Sequence, residues 1–92
     1  HTWWDEKLSE EISRSFNNGN LTSYHICDWL SPMEDMLNDR GLMGEGSIDI
    51  NQISKWVTES GFTGFHEVEI FSERWWKIDQ HDYLNKLISY FE

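Results

Sequence analysis

Residues 38–50 read NDRGLMGEGSIDI, and this stretch decides how the rest of the chain is interpreted. Its three glycines, at positions 41, 44 and 46, favour a loop whose backbone can adopt positive φ and approach a ligand closely. Arg40 opens the loop, and Asp49 or Asn51 is predicted to cap the helix that follows it. A Gly-x-Gly pattern alone is more typical of a surface turn than of a binding site, so its meaning depends on the flanking segments.

Two predicted strands flank this loop, and each has a polar face. The strands span residues 21–27 and 66–71, and successive side chains of a strand point to opposite faces. His25 lies on the polar face of the first strand, and Glu67 and Glu69 lie on the polar face of the second. We therefore expect the glycine loop to lie over a site built from His25 and Glu69.

The spacing of apolar residues predicts three amphipathic helices. One of roughly a dozen residues follows Asp5, a second occupies residues 50–61, and the last begins after Asp79. A capping pattern with proline at the first helical position predicts a short helical turn over residues 32–38. Residues 72–78 are predicted to be a loop.

The order of these elements, (β)αβαβα, indicates parallel strands joined by helical connections. The apolar face of each strand is expected to pack against helices, whereas a doubly wound sheet would be apolar on both faces. A closed (β/α)₈ barrel accommodates a polar inner face, because its site lies at the carboxyl ends of the strands. The sequence therefore predicts an α/β fold of the TIM barrel type.

Length and charge limit the classes of function. The chain has 92 residues, enough for one small domain. Its 7 Lys and Arg against 17 Asp and Glu give a formal net charge of −10, which argues against nucleic acid as a partner. A single cysteine, Cys27, excludes an internal disulfide. No signal peptide or long apolar run is evident, so we expect no membrane partner and a cytoplasmic location.

Three segments together resemble a known family. They are HICDW at 25–29, NDRGLMGEGSID at 38–49 and EVEIFS at 67–72. They resemble the last part of the xylose isomerase-like TIM barrels, the superfamily of sugar isomerases and epimerases that also includes the endonuclease IV-type enzymes. The resemblance covers almost the whole chain. It implies that residues 1–92 are a single segment, the C-terminal three β/α units (tail of strand six to helix eight) of a (β/α)₈ barrel whose N-terminal portion is absent.

The resemblance also implies roles for particular residues. In that family a divalent metal is held by two acidic residues from middle strands, a histidine from strand seven and a glutamate from strand eight. The last two correspond to His25 and Glu69, and a substrate-contacting arginine corresponds to Arg40. His1 corresponds to a histidine that follows a metal-binding aspartate of strand six, so Glu69 and His1 are the catalytic candidates. Met43 departs from the family, which often has proline at that position.

The function implied by the resemblance is a metal-dependent isomerase or epimerase of a sugar or sugar phosphate. Such an enzyme removes a proton next to a carbonyl, which a divalent ion polarises. Mixed carboxylate and imidazole ligands suit Mn, Mg, Co or Zn. A carboxylate moves the proton, and Arg40 would bind a substrate oxygen or a phosphate. Asp28 and Trp29, at the end of the first predicted strand, complete the substrate-binding candidates.

Several of these residues have a structural alternative. His25 can be a hydrogen-bonded structural residue, and Arg40 can be a solvated loop charge. Asp28 can cap the loop instead of orienting His25 or substrate. Glu67 shares a face with Glu69 and is the competing metal ligand.

Two other functions compete with the isomerase. The chain can be a non-catalytic fragment or a small interaction domain, since some of the expected metal ligands are missing from it. An endonuclease IV-type phosphodiesterase would need several zinc ions and a basic groove for DNA, which the charge of −10 opposes. Open strand edges predict self-association or association with the missing barrel portion.

Overall fold

The computed structural model describes residues 2–91 and shows four helices and one parallel sheet of two strands. In chain order the elements are α1 Leu8–Asn17, β1 Tyr24–Ile26, α2 Ile50–Glu59, β2 His66–Val68, α3 Glu73–Trp76 and α4 Gln80–Phe91. None of the helices described is long and apolar enough to cross a bilayer.

Side-chain caps and a glycine set the ends of the longer helices. Asp49 accepts a hydrogen bond from the Gln52 N–H at 3.1 Å, which confirms it as the cap of α2. Asp79 accepts bonds from two N–H groups in the first turn of α4. Gly19 follows α1 with φ of +73°, a left-handed conformation that glycine adopts without steric cost. These signals are local, so the sequence predicted all three helices.

The first two long helices pack against each other. Ile12 of α1 and Val57 of α2 are both buried. Gly61 follows α2 with φ of +108°, and a Cβ there would lie 2.8 Å from the Phe16 ring. The glycine therefore both reverses the chain and lets the end of α1 approach the end of α2.

Strands β1 and β2 are adjacent and parallel, as expected. The register pairs His25 with Glu67 and Ile26 with Val68. The apolar face of the sheet packs into a core of five buried residues, which are Ile26, Leu42, Met43, Ile70 and Trp75. Helix α4 closes this core with Tyr83 and Leu87.

The predicted fragment of a TIM barrel is wrong. Within residues 2–91 the structure is a small unit of four helices and one two-stranded sheet, and each strand has three residues rather than the six or seven expected. His25, Glu67 and Glu69 are exposed on the outer face of this sheet. Alternation of polar and apolar side chains, interpreted above as the inner face of a barrel, fits equally well a sheet that helices cover on one side only.

Two further local predictions are wrong. Residues 32–38 form bends and one turn at 36–38 instead of a helical turn, because the Asp35 carboxylate accepts the N–H groups of Leu37 and Asn38. Residues 73–76 form the helix α3 instead of a loop, and Ser72 caps it. A helix of four residues is too short to show an apolar period in the sequence.

Candidate functional site

The exposed face of the sheet holds one histidine between two carboxylates. The Nδ1 atom of His25 lies 3.1 Å from Oε2 of Glu69, and its Nε2 atom lies 3.5 Å from Oε2 of Glu67. About half of each side chain is exposed. Glu69 stands just beyond β2, where its N–H donates to the Ile26 carbonyl and continues the parallel pairing. The predicted pair, His25 and Glu69, is therefore in direct contact at the carboxyl ends of the two strands.

The start of the glycine loop joins the ends of the two strands. Asp28 and Gly41 exchange two main-chain hydrogen bonds of 3.0 Å, and Arg40 donates its N–H to the Phe71 carbonyl at 2.9 Å. Asp39 forms an antiparallel bridge to Ser72. Because residues 39–41 contact both strand ends, the loop is fixed relative to the face that carries His25.

Asp28 organises the loop from inside. It is fully buried, and its carboxylate accepts four main-chain N–H groups at 2.8–3.0 Å, those of Trp29, Gly44, Gly46 and Ile48. Both oxygens are fully used by these donors, and charged acceptors form the stronger hydrogen bonds in proteins. The geometry favours the structural alternative for Asp28, a cap of the glycine loop, over contact with a substrate.

Arg40 is a buried cation without a counter-charge among the described residues. The residue is 7% exposed, and its guanidinium carbon lies 4.5 Å from the centre of the Trp29 ring. Within residues 2–91 its side chain forms no ion pair and no hydrogen bond. Trp29 in turn contacts the Trp3 ring at 6.2 Å between centroids. A guanidinium whose donors have no partner among residues 2–91 is suited to bind an anionic or strongly polar group.

Cys27 follows β1 and is a half-buried free thiol. Burial raises the pKa of its thiol, while the Arg40 charge lowers it and the Glu69 charge raises it. The bond from the Arg40 N–H to the Phe71 carbonyl places Arg40 at the carboxyl ends of the strands, where His25 contacts Glu69, and we refer to these residues as one neighbourhood.

Aromatic side chains flank this neighbourhood on the β2 side. Phe71 and Trp76 lie 6.1 Å apart between ring centroids, and each is about half exposed. Trp75, by contrast, is buried in the core and stacks on Tyr83. Of the 75–76 tryptophan pair, one ring therefore packs and the other remains available for contact.

The predicted metal ligands are His25 and Glu69. Across residues 2–91 no three His, Cys, Asp or Glu side chains converge on one point where an ion could bind. His25 and Glu69 together fit as two ligands, one imidazole and one carboxylate. His1, the remaining catalytic candidate, lies outside the described residues.

The sequence identified His25, Glu69, Arg40 and Trp29 individually, and the structure brings them to one end of the sheet. The sequence analysis did not predict two contacts: that of His25 with Glu67, and the stacking of Arg40 on Trp29. The shared polar face of the strands was a signal for the first. No sequence signal was available for the second, because it depends on the path of the loop.

Among solved structures, protein SMc04130 from Sinorhizobium meliloti 1021 is similar to this chain, with a TM-score of 0.91 and 41% sequence identity. The similarity covers 97% of this chain and 33% of that one, so this chain spans about a third of the length of the S. meliloti protein. The fold shared over this length is the arrangement of four helices and two strands described above, and the barrel-fragment prediction is corrected on this finding. No family model and no curated protein matches the sequence.

Proposed function

We propose that this chain is part of a metal-dependent isomerase or epimerase of sugars or sugar phosphates, which acts by proton transfer next to a carbonyl. The observation that supports this most is the 3.1 Å contact between His25 Nδ1 and Glu69 Oε2 at the carboxyl ends of two parallel strands. Cavities and sites of α/β proteins form preferentially at that end of a sheet. The exposure of both side chains leaves room for an ion and a substrate.

Each residue of the proposed site has a role that its surroundings support. His25 and Glu69 would hold the divalent ion, which supplies polarisation of the substrate carbonyl when bound. Glu69 has the chemistry to accept the proton from the carbon next to that carbonyl. Arg40, buried and without a carboxylate partner in residues 2–91, would bind a substrate oxygen or phosphate. Trp29 holds the guanidinium in place by stacking.

Two ligands are fewer than a catalytic metal site usually takes from protein. We therefore propose that further ligands come from a polypeptide equivalent to the part of the S. meliloti protein that this chain does not match. Small-molecule sugars are the proposed substrates, and the cytoplasm is the proposed location.

A chimera tests this function. The matched third of the S. meliloti protein would be replaced by this chain, and exchange of sugar C–H protons with deuterated solvent would be followed by NMR with Mn²⁺ or Mg²⁺ added. The proposal predicts metal-dependent exchange that is lost in His25→Ala and Glu69→Gln and kept in Glu59→Gln, which changes an exposed carboxylate of α2. A folded chimera without exchange on any aldose, ketose or phosphorylated sugar contradicts it.

The isolated chain is expected to bind divalent metal only weakly and to turn over no sugar. The reason is that no three possible ligand side chains converge within residues 2–91, and His25 and Glu69 are both about half exposed. Isothermal titration with Mn²⁺ or Zn²⁺ measures this directly. Micromolar binding that disappears in His25→Ala would show that the chain completes a metal site by itself.

A second candidate function, a domain that associates with a partner, is favoured by its exposed apolar side chains. Phe65 is 86% exposed, and helix α4 exposes Leu84, Ile88 and Phe91 along one stripe. No residue of α4 is buried. Apolar surface of this extent marks an interface, and both edges of a two-stranded sheet can accept another strand.

We expect the isolated chain to associate with itself at low micromolar concentration. Burial of the α4 stripe and of the sheet edges drives association. The net charge of −10 slows association, but it does not pair the free N–H and C=O groups of an edge strand. Sedimentation equilibrium measures the mass, and Leu84→Asp is expected to shift it toward the monomer. Lys55→Asp, on exposed α2 surface, serves as the control. If the unsubstituted chain is a monomer that unfolds cooperatively, these residues fold without a partner and the expectation is wrong.

A further inference from the structure

The outer edge of β1 carries main-chain groups that have no partner in the described part of the chain. The Ile26 carbonyl accepts the Glu69 N–H, so the main-chain groups of Ile26 point toward β2. These groups alternate in direction along a strand, so those of His25 and Cys27 point away from β2. Within residues 2–91 they form no main-chain hydrogen bond on that side. This edge can therefore accept another strand.

The sequence of this edge lacks the features that protect a free strand. Residues 21–27 read LTSYHIC and contain no Asp, Glu, Lys, Arg or Pro. Natural edge strands are commonly protected by charges or proline, whereas uncharged segments of high strand propensity pair with other chains. Strand β2, by contrast, is followed closely by Glu69 and contains Glu67. Of the two strands, β1 is therefore the one whose edge we expect to be covered in the assembled protein.

An apolar cavity of about 240 Å³ lies beside this edge. It is bounded by Leu8 and Ile12 of α1 and by Tyr24 of β1, and Trp3 also lines it. The indole Nε1 of Trp3 is buried and has no hydrogen-bond partner within residues 2–91. Buried N–H groups without a partner are rare in folded proteins, so an acceptor is expected next to Trp3. An added strand supplies both an apolar side chain for the cavity and a carbonyl oxygen for the indole.

We infer that a strand of a companion polypeptide, equivalent to the part of the S. meliloti protein that this chain does not match, pairs with the outer edge of β1 and fills the cavity. That polypeptide is the one invoked by the proposed function, but its pairing with β1 requires neither a metal nor a reaction. The product is a three-stranded sheet with β1 at its centre.

The position of α1 favours a single strand over a second copy of this chain. The occupant must fit between α1 and β1, because Leu8 and Ile12 bound the cavity. A strand can do so, whereas a second copy brings its own α1 and α2 beside its β1. Contact between two copies also brings together two net charges of −10.

Amide hydrogen exchange, resolved to single residues by mass spectrometry, tests this edge in two proteins. The first is the full chain, below the concentration at which it associates. There the His25 and Cys27 amides should exchange freely, and the Ile26 amide, which faces β2, should be protected. The second is the chimera described above, in which the companion strand is present. We expect exchange at His25 and Cys27 to be slower there by about a hundredfold, because the sheet must first open.

A pair of tryptophan variants tests the acceptor for the buried indole. Trp3→Phe removes the N–H and keeps a ring, and it should lower the urea midpoint of the chimera more than that of the isolated chain. Trp75→Phe is the matched control, because Trp75 Nε1 is also buried without a partner in residues 2–91 but lies in the core. Its effect should be the same in both proteins.

The outcomes separate the strand from the proposed reaction. Protected His25 and Cys27 amides in the isolated monomer, or free amides in a folded chimera, overturn the pairing. Protection that rises with the concentration of the isolated chain assigns the edge to a second copy and also overturns it. If the chimera does not fold, the same amides are measured in this chain co-expressed with the unmatched part of the S. meliloti protein, and failure to assemble there contradicts the pairing. Protected amides without exchange of sugar protons support the pairing while the proposed isomerase function fails.

Discussion

Replacement of Asp28 by alanine is expected to lower the free energy of unfolding by about 3–5 kcal/mol, because it removes the common acceptor of four main-chain N–H groups. Each buried donor left without a partner costs about 1–3 kcal/mol, and water can reach only part of this loop after the change. Small domains are stable by about 5 kcal/mol or little more. Much of the chain should therefore be unfolded at 25 °C, as measured by far-UV circular dichroism and by urea titration of tryptophan fluorescence.

Asp49→Ala is the matched control for this experiment. It also removes a carboxylate near the glycine loop, but that carboxylate accepts a single exposed N–H, that of Gln52. The loss of such a helix cap costs about 1 kcal/mol. Asp28→Asn should fall between the two, because one oxygen remains an acceptor while the new amide group faces N–H donors. Equal effects of Asp28→Ala and Asp49→Ala would show that the buried carboxylate does not hold the loop.

Local signals in the sequence predicted the helices that have caps and apolar stripes. The capping of α2 by Asp49 and the glycine after α1 depend only on neighbours in the chain, and both are confirmed. The pairing of β1 with β2 was also predicted, because an intervening helix makes a parallel pair the expected arrangement. The alternation of polar and apolar residues within each strand also showed which face of the sheet is polar.

The closure of the sheet could not be predicted from that pattern. His25, Glu67 and Glu69 alternate with apolar residues whether they face the inside of a barrel or solvent on one side of an open sheet. Closure depends on how many strands pair side by side, and the two short strands described here leave their polar face exposed. The alternation of polar and apolar residues was therefore identified correctly, but the closed barrel inferred from it was wrong.

The candidate site shows the same division between local and tertiary information. The residues His25, Glu69 and Arg40 could be picked out by type and position. The distances among them follow from the register of the two strands and from the bridges at residues 39–41. For Asp28 the sequence offered a loop cap as one of two alternatives. It could not show that the carboxylate accepts four main-chain N–H groups, because three of those donors lie 16–20 residues away in the chain.

Gly46→Ala is expected to have the second large effect, a loss of about 3 kcal/mol of stability together with disruption of the loop. A Cβ at this position would lie 2.2 Å from the Trp29 carbonyl oxygen and 2.6 Å from Oδ1 of Asp28. Both atoms are fixed, since the Trp29 oxygen accepts the Ser47 N–H and Oδ1 of Asp28 accepts the N–H groups of Trp29 and Ile48. Main chain must therefore move, and overpacking in a fixed environment costs about 1–3 kcal/mol before the broken hydrogen bonds are added.

Gly44→Ala separates lack of space from backbone strain in the same loop. Gly44 has φ of +91°, but a Cβ there meets no atom within 4 Å, so only the strain of a left-handed residue is expected, about 1–2 kcal/mol. Urea titration of both variants, followed by far-UV circular dichroism, measures the difference. Gly46→Ala should unfold at lower urea than Gly44→Ala. The reverse order would mean that the main chain around Asp28 can shift at low energy to accept a Cβ at position 46, and that the close approach of Gly46 to Trp29 does not hold the loop.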